Sequence, residues 1–170
     1  MIAVFFFVLL LGLDQAAKIW VRAHVPAGAE GTNLVPGVFD LTYAPNRGVA
    51  FSTFAELPAS VRLPLLLVIP ALVTLGLGTY AVRTWKQQPA AIRAAFVLIL
   101  SGAVGNLIDR ALFGEVTDFV RFRAGDKVLF VNNFADDYIS VGAVLLGLLI
   151  VIPRKGRASV AIPQADGAQG

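Results

Sequence analysis

Residues 63–82 read LPLLLVIPALVTLGLGTYAV, a run without a single charged side chain. A helix that crosses the hydrocarbon core of a bilayer needs about 20 mostly apolar residues. Pro64 and Pro70 are compatible with such a helix, because neighbouring groups in a membrane protein can satisfy the backbone atoms that proline frees. The run therefore predicts a transmembrane helix over Leu63–Val82.

Three further apolar segments of similar length surround this run: Met1–Val21, Ala90–Ile108 and Ala135–Pro153. The chain of 170 residues is 57% hydrophobic and 15% charged, whereas a soluble domain has about 25% charged residues. A chain this short cannot bury the surplus in a soluble core, because small domains have too much surface to cover. We therefore predict an all-α membrane protein with four transmembrane helices. The first segment lacks the basic start and the cleavage site of a signal peptide, so we expect a retained helix.

The distribution of basic residues predicts the orientation of the chain. Basic residues without nearby acids occur between the second and third segments, at the start of the third and directly after the fourth: Arg83, Lys86, Arg93, Arg154, Lys155 and Arg157. The positive-inside rule then places both termini in the cytoplasm and the two loops of mixed charge outside. We expect one domain over residues 1–153 and a disordered cytoplasmic tail over residues 154–170, since that tail is small and polar.

The first outer loop, about residues 22–60, has a strand pattern. Phe39, Leu41 and Tyr43 alternate with smaller or polar residues, which is typical of a half-buried strand. A turn is expected at 46–48, and an apolar run resumes at 49–51. The pattern predicts a small sheet on the outer membrane surface.

The composition excludes several kinds of chemistry. The chain has no cysteine and a single histidine, His24, so disulfides, thiolate nucleophiles and cysteine or histidine metal sites are not expected. The basic residues form no stripe with interleaved aromatics, which argues against nucleic acid as a partner. Any hydrolytic chemistry would therefore have to come from carboxylates, hydroxyls or lysine.

Polar residues inside or beside the spans are candidates for function, because they are expensive at membrane depth. Asp14 and Lys18 lie one helical turn apart, so we expect an ion pair, which could simply steady the helix end. Asn106 shares a helix face with Asp109 and Arg110 at the outer membrane edge. Arg110 could instead extend to the interface and pair with Asp109, but Asn106 lies deeper in the apolar run and is harder to explain structurally.

Two aspartates are predicted to lie on the same side of the membrane. Asp118 is flanked by apolar residues, and Asp136 begins the fourth span. If the two carboxyl groups meet, repulsion and burial would raise one pKa, so that the pair shares a proton and can supply a base and an acid. Asn133, three residues before Asp136, could orient that carboxylate. Aspartate is common at helix starts because of the helix dipole, so the two aspartates alone would be weak support for a catalytic pair.

With these residues laid out, the chain resembles the bacterial lipoprotein signal peptidases (signal peptidase II), a family of membrane aspartic peptidases. Five motifs occur in the order of that family: Asp14-Gln-Ala-Ala-Lys18, Asn46-Arg-Gly-Val-Ala-Phe51, Gly102-Ala-Val-Gly-Asn106-Leu-Ile-Asp109-Arg110, Val116-Thr-Asp118-Phe119 and Asn133-Phe-Ala-Asp136. The departures from the family pattern are Ser101, Asn132 and Asp137, where glycine, phenylalanine and a small residue are usual. Asp137 doubles the acid, but Asp136 alone satisfies both Asn-x-x-Asp and Ala-Asp.

The resemblance implies four helices with an outer β-cradle, and an endopeptidase that cleaves prolipoproteins before a diacylglyceryl-modified cysteine. It implies a site built from the following residues: Asp118 and Asp136 as the catalytic pair; Asn46, Asn106, Arg110 and Asn133 around the substrate; and Asp14, Lys18, Gly48 and Asp109 in support. It further implies a multi-pass protein of the bacterial inner membrane, with its active site facing outward, that needs no metal or cofactor. Its partners would be prolipoproteins and membrane lipids, with inhibition by globomycin, and we expect a monomer.

Two other classes of function remain open. A small transporter or proton-conducting protein could use the intramembrane charges, among them Asp14, Lys18 and Asp109. Its weakness is that the ionisable residues cluster at one face, whereas a conduction path should cross the membrane. A membrane scaffold without catalysis would leave Asn106 and both aspartate motifs without a role.

Overall fold

The structure, a computed structural model, describes residues 1–29, 31–48 and 57–152. The expected apolar run at 49–51 and the tail at 154–170 lie outside these ranges. The helices are Ile2–His24 (α1), Ala59–Thr84 (α2), Ala90–Phe113 (α3) and Phe134–Val151 (α4), and a short 3-10 turn, Trp85–Gln87, follows α2. All four helices are long and apolar enough to cross a membrane. The predicted spans are therefore confirmed, although α3 runs beyond Ile108 and contains Asp109 and Arg110.

Helix α3 packs against each of the other three helices. Small residues bring the helix axes close together: a Cβ atom at Gly105 would meet Asp14 Oδ2 of α1 at 2.6 Å, and one at Gly142 would meet Ile99 Cγ1 of α3 at 2.7 Å. A Cβ atom at Gly102 would collide with the carbonyl oxygen of Ala135. Close backbone approach through small residues is the usual way in which helices associate within membranes.

The polarity of the bundle is the reverse of that in a soluble protein. Large apolar side chains such as Phe5, Leu72 and Val144 are more than half exposed, as expected for a surface that faces lipid. Asp14 and Lys18, by contrast, have no exposed surface. These two ionisable groups therefore lie inside the bundle, where they must be satisfied by other protein groups.

Four antiparallel strands form one sheet beside the helices, in the order β1-β2-β3-β4. They are Thr32–Val35 (β1), Phe39–Asn46 (β2), Val116–Ala124 (β3) and Lys127–Asn132 (β4). The strand predicted around 39–44 is confirmed as part of β2. Half of the sheet comes from the second outer loop, for which we made no strand prediction. Phe119 breaks the polar-apolar alternation of β3, so this segment has no clear strand pattern in the sequence.

The two central strands bring distant residues together. Asn46 of β2 is paired with Val116 of β3, and Ala44 with Asp118. At the other end of the sheet the rings of Phe122 and Phe130 stack with their centroids 4.8 Å apart. The sheet therefore carries Asp118 at the end that lies nearest the helices.

A buried ion cluster ties β2 to β3. The carboxylate of Asp40, which has no exposed surface, accepts hydrogen bonds from Arg121 Nη2 at 2.8 Å and from Arg123 Nη1 at 3.2 Å. The Arg121 hydrogen bond is the main reason why the pKa of Asp40 lies below its ordinary value. This cluster helps to fix the register of the strand that presents Asp118.

Candidate active site

Asp118 lies on β3 and is only 3% exposed. Its carboxylate oxygens accept hydrogen bonds from two amide groups, Asn46 Nδ2 at 2.9 Å and Asn133 Nδ2 at 2.6 Å. Burial raises the pKa of Asp118 to about 7, and the charge of Asp136 acts in the same direction, while the two hydrogen bonds oppose the rise. Asp118 therefore titrates near neutral pH, where a group can work as an acid or a base.

Asp136 lies in the first turn of α4. The helix begins after Asn133, whose side-chain oxygen accepts a hydrogen bond from the backbone N–H of Asp136 at 3.0 Å. This is the usual role of asparagine at a helix N-cap. The Asp136 carboxylate itself accepts a hydrogen bond from Asn106 Nδ2 at 2.8 Å.

Asn133 joins the two aspartates rather than orienting one carboxylate. We expected it to orient the Asp136 carboxylate, but its amide nitrogen binds the carboxylate of Asp118, while its oxygen binds the backbone of Asp136. One amide group thus fixes the start of α4 relative to strand β3, and thereby fixes the two aspartates relative to each other.

Two further buried aspartates hold the backbone beside the pair. Asp14 Oδ1 accepts a hydrogen bond from Ala135 N at 3.0 Å, directly before Asp136. Asp109 Oδ2 accepts one from Thr117 N at 2.9 Å, directly before Asp118. The two supporting carboxylates thus play the same part, one from α1 and one from α3.

Lys18 connects these supports. Its ammonium group lies 2.8 Å from Asp14 Oδ2 and 3.7 Å from Asp109 Oδ2, and it donates a hydrogen bond to Asn106 Oδ1 at 2.9 Å. The predicted Asp14–Lys18 ion pair is therefore present, within a larger network.

Arg22 and Thr117 were not among the predicted site residues. Arg22 Nη1 donates hydrogen bonds to Asp109 Oδ1 at 3.3 Å and to the Thr117 hydroxyl, and its guanidinium lies over the Phe113 ring. Asp109 therefore pairs with Arg22 and Lys18, not with its sequence neighbour. The spacing of Asp14, Lys18 and Arg22 on one face of α1 is the sequence signal that could have revealed Arg22.

Arg110 turns towards the first outer loop. Its Nη2 donates to the carbonyl oxygen of Gly48 at 3.1 Å, and the N–H of Gly48 donates to Asn46 Oδ1 at 3.0 Å. Gly48 thus links the guanidinium of Arg110 to the asparagine that contacts Asp118.

The two aspartates line one cavity of about 660 Å³. Its polar lining also includes Asn46, Asn106 and Arg110. Its apolar lining includes Pro70 of α2, Ala103 of α3, Ile139 of α4 and Phe130 of β4. Asp137 instead accepts a hydrogen bond from Asn132 Nδ2 at 2.6 Å.

Within the ranges that the structure describes, no three carboxylate or imidazole side chains converge as metal ligands do.

A family model described as signal peptidase (SPase) II matches residues 6–152. The chain belongs to the signal peptidase II family. As a member of this family it is a peptidase, and the resemblance inferred from the five motifs is confirmed.

Relatives of known name agree with the family. A lipoprotein signal peptidase of Streptococcus thermophilus is 37% identical over 141 residues, which cover 83% of this chain and 86% of the relative. One of Chlorobium phaeovibrioides is 37% identical over 152 residues, covering 84% and 86% of the two chains. One of Fusobacterium nucleatum is 36% identical over 147 residues, covering 86% and 84%.

Solved structures agree with the fold. A bacterial membrane enzyme determined at 2.3 Å resolution matches with a TM-score of 0.75 and 24% identity, over 93% of each chain. A second, determined at 1.9 Å resolution, matches with a TM-score of 0.74 and 22% identity, over 88% of this chain and 92% of that one. The architecture of four spanning helices and a small sheet is therefore one that membrane enzymes use.

Proposed function

We propose that the protein is a membrane aspartic endopeptidase that removes the signal peptide of prolipoproteins by cutting before the diacylglyceryl-modified cysteine. The observation that carries the proposal is the pair Asp118, which is buried, and Asp136, which is partly exposed. Their carboxyl groups come from different elements and line one cavity. The names of the relatives, which are lipoprotein signal peptidases, support this substrate class.

The chemistry needs one ionised and one protonated carboxyl group. The carboxylate takes a proton from water as the water oxygen bonds to the peptide carbonyl carbon, and the carboxylic acid gives its proton to the carbonyl oxygen. In the resulting gem-diol the C–N bond then breaks: the first carboxyl group gives its proton to the leaving nitrogen, and the second takes one from a hydroxyl. The products are a carboxylic acid and an amine, and the pair returns to its starting state.

The polar residues around the pair suit a peptide in extended form. Asn46, Asn106 and Asn133 contact the two carboxylates, and Arg110 lines the same cavity, where its guanidinium can bind a substrate carbonyl and stabilise developing negative charge. Gly48 lies between Arg110 and Asn46, so it shapes this side of the cavity.

The apolar lining suits a lipidated substrate. Pro70 and Ile139 belong to spanning helices, so the cavity reaches from the sheet into the depth of the bundle. Acyl chains can therefore remain in the bilayer while the cleavage site meets the aspartates. The charge asymmetry of the loops supports an outward-facing site in the bacterial inner membrane, with both termini in the cytoplasm. We further propose that globomycin inhibits the protein and that it works as a monomer in contact with membrane lipids.

The arrangement of charges does not favour a transporter. Asp14, Lys18 and Asp109 form one closed network of ion pairs that holds the backbone beside the catalytic pair. A conduction path would need ionisable or hydrated groups along the whole length of the bundle.

The first prediction tests the pair by substitution. Asp118→Asn and Asp136→Asn should each abolish cleavage of a diacylglyceryl-modified prolipoprotein by the purified protein in lipid, because neither variant can move both protons. Cleavage is measured by the mass shift of the product, and folding by thermal unfolding. Activity that persists in either folded variant would contradict the proposal.

Asp137→Asn is the matched control. Asp137 is adjacent in sequence and also a carboxylate, but it hydrogen-bonds Asn132 rather than lining the cavity with the pair. This variant should keep substantial activity, and a dead Asp137→Asn protein would mean that the catalytic aspartate is misassigned. Proton flux in vesicles without peptide cleavage would instead support the transporter.

A further inference from the structure

The two aspartates are held by asparagines of unequal character. Each asparagine has its oxygen bound to a donor and its NH₂ group turned towards a carboxylate. For Asn46 and Asn133 that donor is a neutral backbone N–H, of Gly48 and Asp136 respectively. For Asn106 the donor is the ammonium group of Lys18, 2.9 Å away.

A cation bound to the oxygen of an amide side chain strengthens the NH₂ group of that amide as a hydrogen-bond donor. Lys18 has no exposed surface, so its charge acts with little screening by water. It polarises the Asn106 amide and makes the Asn106 NH₂ group a stronger donor, and that group lies 2.8 Å from Asp136 Oδ1. Asp118 accepts its two hydrogen bonds from Asn46 and Asn133, and neither amide oxygen is bound directly to a cation. The guanidinium of Arg110 reaches Asn46 only through the backbone of Gly48.

We propose that Lys18 is a positioning residue which, acting through Asn106, keeps Asp136 as the ionised member of the pair and leaves the proton on Asp118. The inference rests on the proposed peptidase function and assigns the roles within it. Asp136 takes the proton of the attacking water, and Asp118 gives its proton to the carbonyl oxygen. In the second half of the reaction Asp136 gives its proton to the leaving nitrogen, and Asp118 takes one from a hydroxyl of the gem-diol.

The other charges around the pair act on both of its members. Lys18 also acts electrostatically on Asp118, but only Asp136 is joined to it through a hydrogen-bonded amide. Arg110 of α3 acts electrostatically on both carboxyl groups, and Asp118 and Asp136 act on each other. Asp137 of α4 is engaged with Asn132. Asp136 also lies in the first turn of α4, where the helix dipole favours a negative charge, whereas Asp118 lies on a strand. The pKa of Asp118, raised to about 7 mainly by burial, suits the member that keeps the proton.

The test removes the link without unpairing buried charges. Asn106→Ala breaks the contact to Asp136 and leaves Lys18 with both of its carboxylates, so the ion-pair network keeps its charges. The turnover number should fall at least about tenfold. The acidic limb of the profile of kcat/KM against pH should move upward by about one pH unit, because the variant removes one hydrogen bond to an ionised carboxylate and such a bond typically corresponds to about one pKa unit.

A second variant removes the cation itself. Lys18→Gln combined with Asp14→Asn deletes one positive and one negative charge together, so that no new net charge is buried. This double variant should show the same upward movement of the acidic limb. Lys18→Arg keeps the charge and should leave the limb in place even where the turnover number falls.

A purely structural role would give a different result. Gln15 lies on the same helix as Lys18 and donates hydrogen bonds to Gly105 and Asp14, but it does not bond to Asn106. Gln15→Ala should therefore lower the melting temperature without moving the pH profile. If the limb stays in place in folded Asn106→Ala protein, the inference is wrong. That outcome leaves the peptidase proposal intact. The peptidase proposal fails only if the wild-type protein does not cleave the substrate or if the aspartate variants remain active.

Discussion

At the scale of residues, asparagine is the side chain that organises this site. An amide carries a donor and an acceptor at fixed separation, so binding its oxygen fixes the direction of its NH₂ group. Asn46, Asn106 and Asn133 each use this property to turn a donor towards a carboxylate. The consequence is a site whose acids are held by groups that do not titrate.

Asn133 allows its two tasks to be separated. Serine at this position can still cap α4 but cannot reach Asp118 with a donor, whereas alanine loses both contacts. Asn133→Ser and Asn133→Ala should therefore both be poorly active. Asn133→Ala should be less stable than Asn133→Ser by about 1 kcal/mol, which is the usual contribution of an N-cap side chain to stability. Thermal unfolding in lipid measures this difference, and equal stability of the two variants would contradict the capping role.

The pH dependence follows from the raised pKa of Asp118. Below about pH 7 this group carries the proton that the proposed reaction takes from it, so on that mechanism kcat/KM should fall as the pH rises through about 7. The stability of the folded protein should change in the same direction. The pKa of Asp118 in the folded state, about 7, lies above its ordinary value of 3.8, so ionisation of Asp118 opposes folding. The contribution of Asp118 to stability therefore decreases as the pH rises from about 3.8 to about 7. A rate that keeps rising well above pH 8 would exclude Asp118 as the acid.

Several site residues could be predicted because they are polar where the sequence is apolar. Asn106 and the Asp14–Lys18 pair are of this kind, since water cannot satisfy them at membrane depth. Arg22 could not be found by its polarity, because it ends an apolar span, where a basic residue is usual. Only its spacing from Asp14 and Lys18 along one face of α1 marks it as a site residue. Its contact with Asp109 depends on how α1 and α3 pack, which no local pattern contains.

At the scale of elements, helix α3 determines the geometry of the bundle. Hydropathy predicted all four spans, because a lipid environment imposes a simple requirement on length and composition. The strands β3 and β4 were missed, since sheets depend on pairing between distant segments. Asp118 and Asn46 are joined across 72 positions of the chain.

Two glycines of α4 provide a test of the close packing. Gly142→Ala should destabilise the protein by about 1–3 kcal/mol, because the added methyl group meets Ile99 at 2.7 Å and overpacked cores typically lose this much. Gly147 has nothing within 4 Å of its Cβ position, so Gly147→Ala should be neutral or slightly stabilising. Thermal unfolding of both variants in the same detergent measures this difference. Equal melting temperatures of the two variants would contradict the close packing at Gly142.

At the scale of the whole molecule, α2 and α4 both pack against α3, and the cavity lies between them. Ala103 of α3 lines that cavity, while Ala111 of the same helix is exposed. Ala103→Leu should therefore reduce kcat/KM by at least about tenfold, mainly through KM, because the added volume occupies substrate space in a cleft that is largely pre-formed.

Ala111→Leu adds the same volume outside the cavity and should leave the kinetics unchanged. Cleavage assays over a range of substrate concentrations separate KM from kcat. An unchanged KM in Ala103→Leu would mean that the substrate uses another path to the aspartates.

The way in which the site is divided along the chain has a consequence for biogenesis. Asp14, Asn106 and Asp118 are made before the last span, whereas Asn133 and Asp136 arrive with α4. Membrane helices leave the ribosome in sequence order, and folding during synthesis begins at the N-terminus. A nascent chain with three inserted spans therefore holds one of the two proposed catalytic acids without its partner and without the amide that joins them. On the proposed mechanism we expect proteolytic capacity only when the final helix is inserted, so that an incompletely assembled molecule cannot cut its neighbours in the membrane.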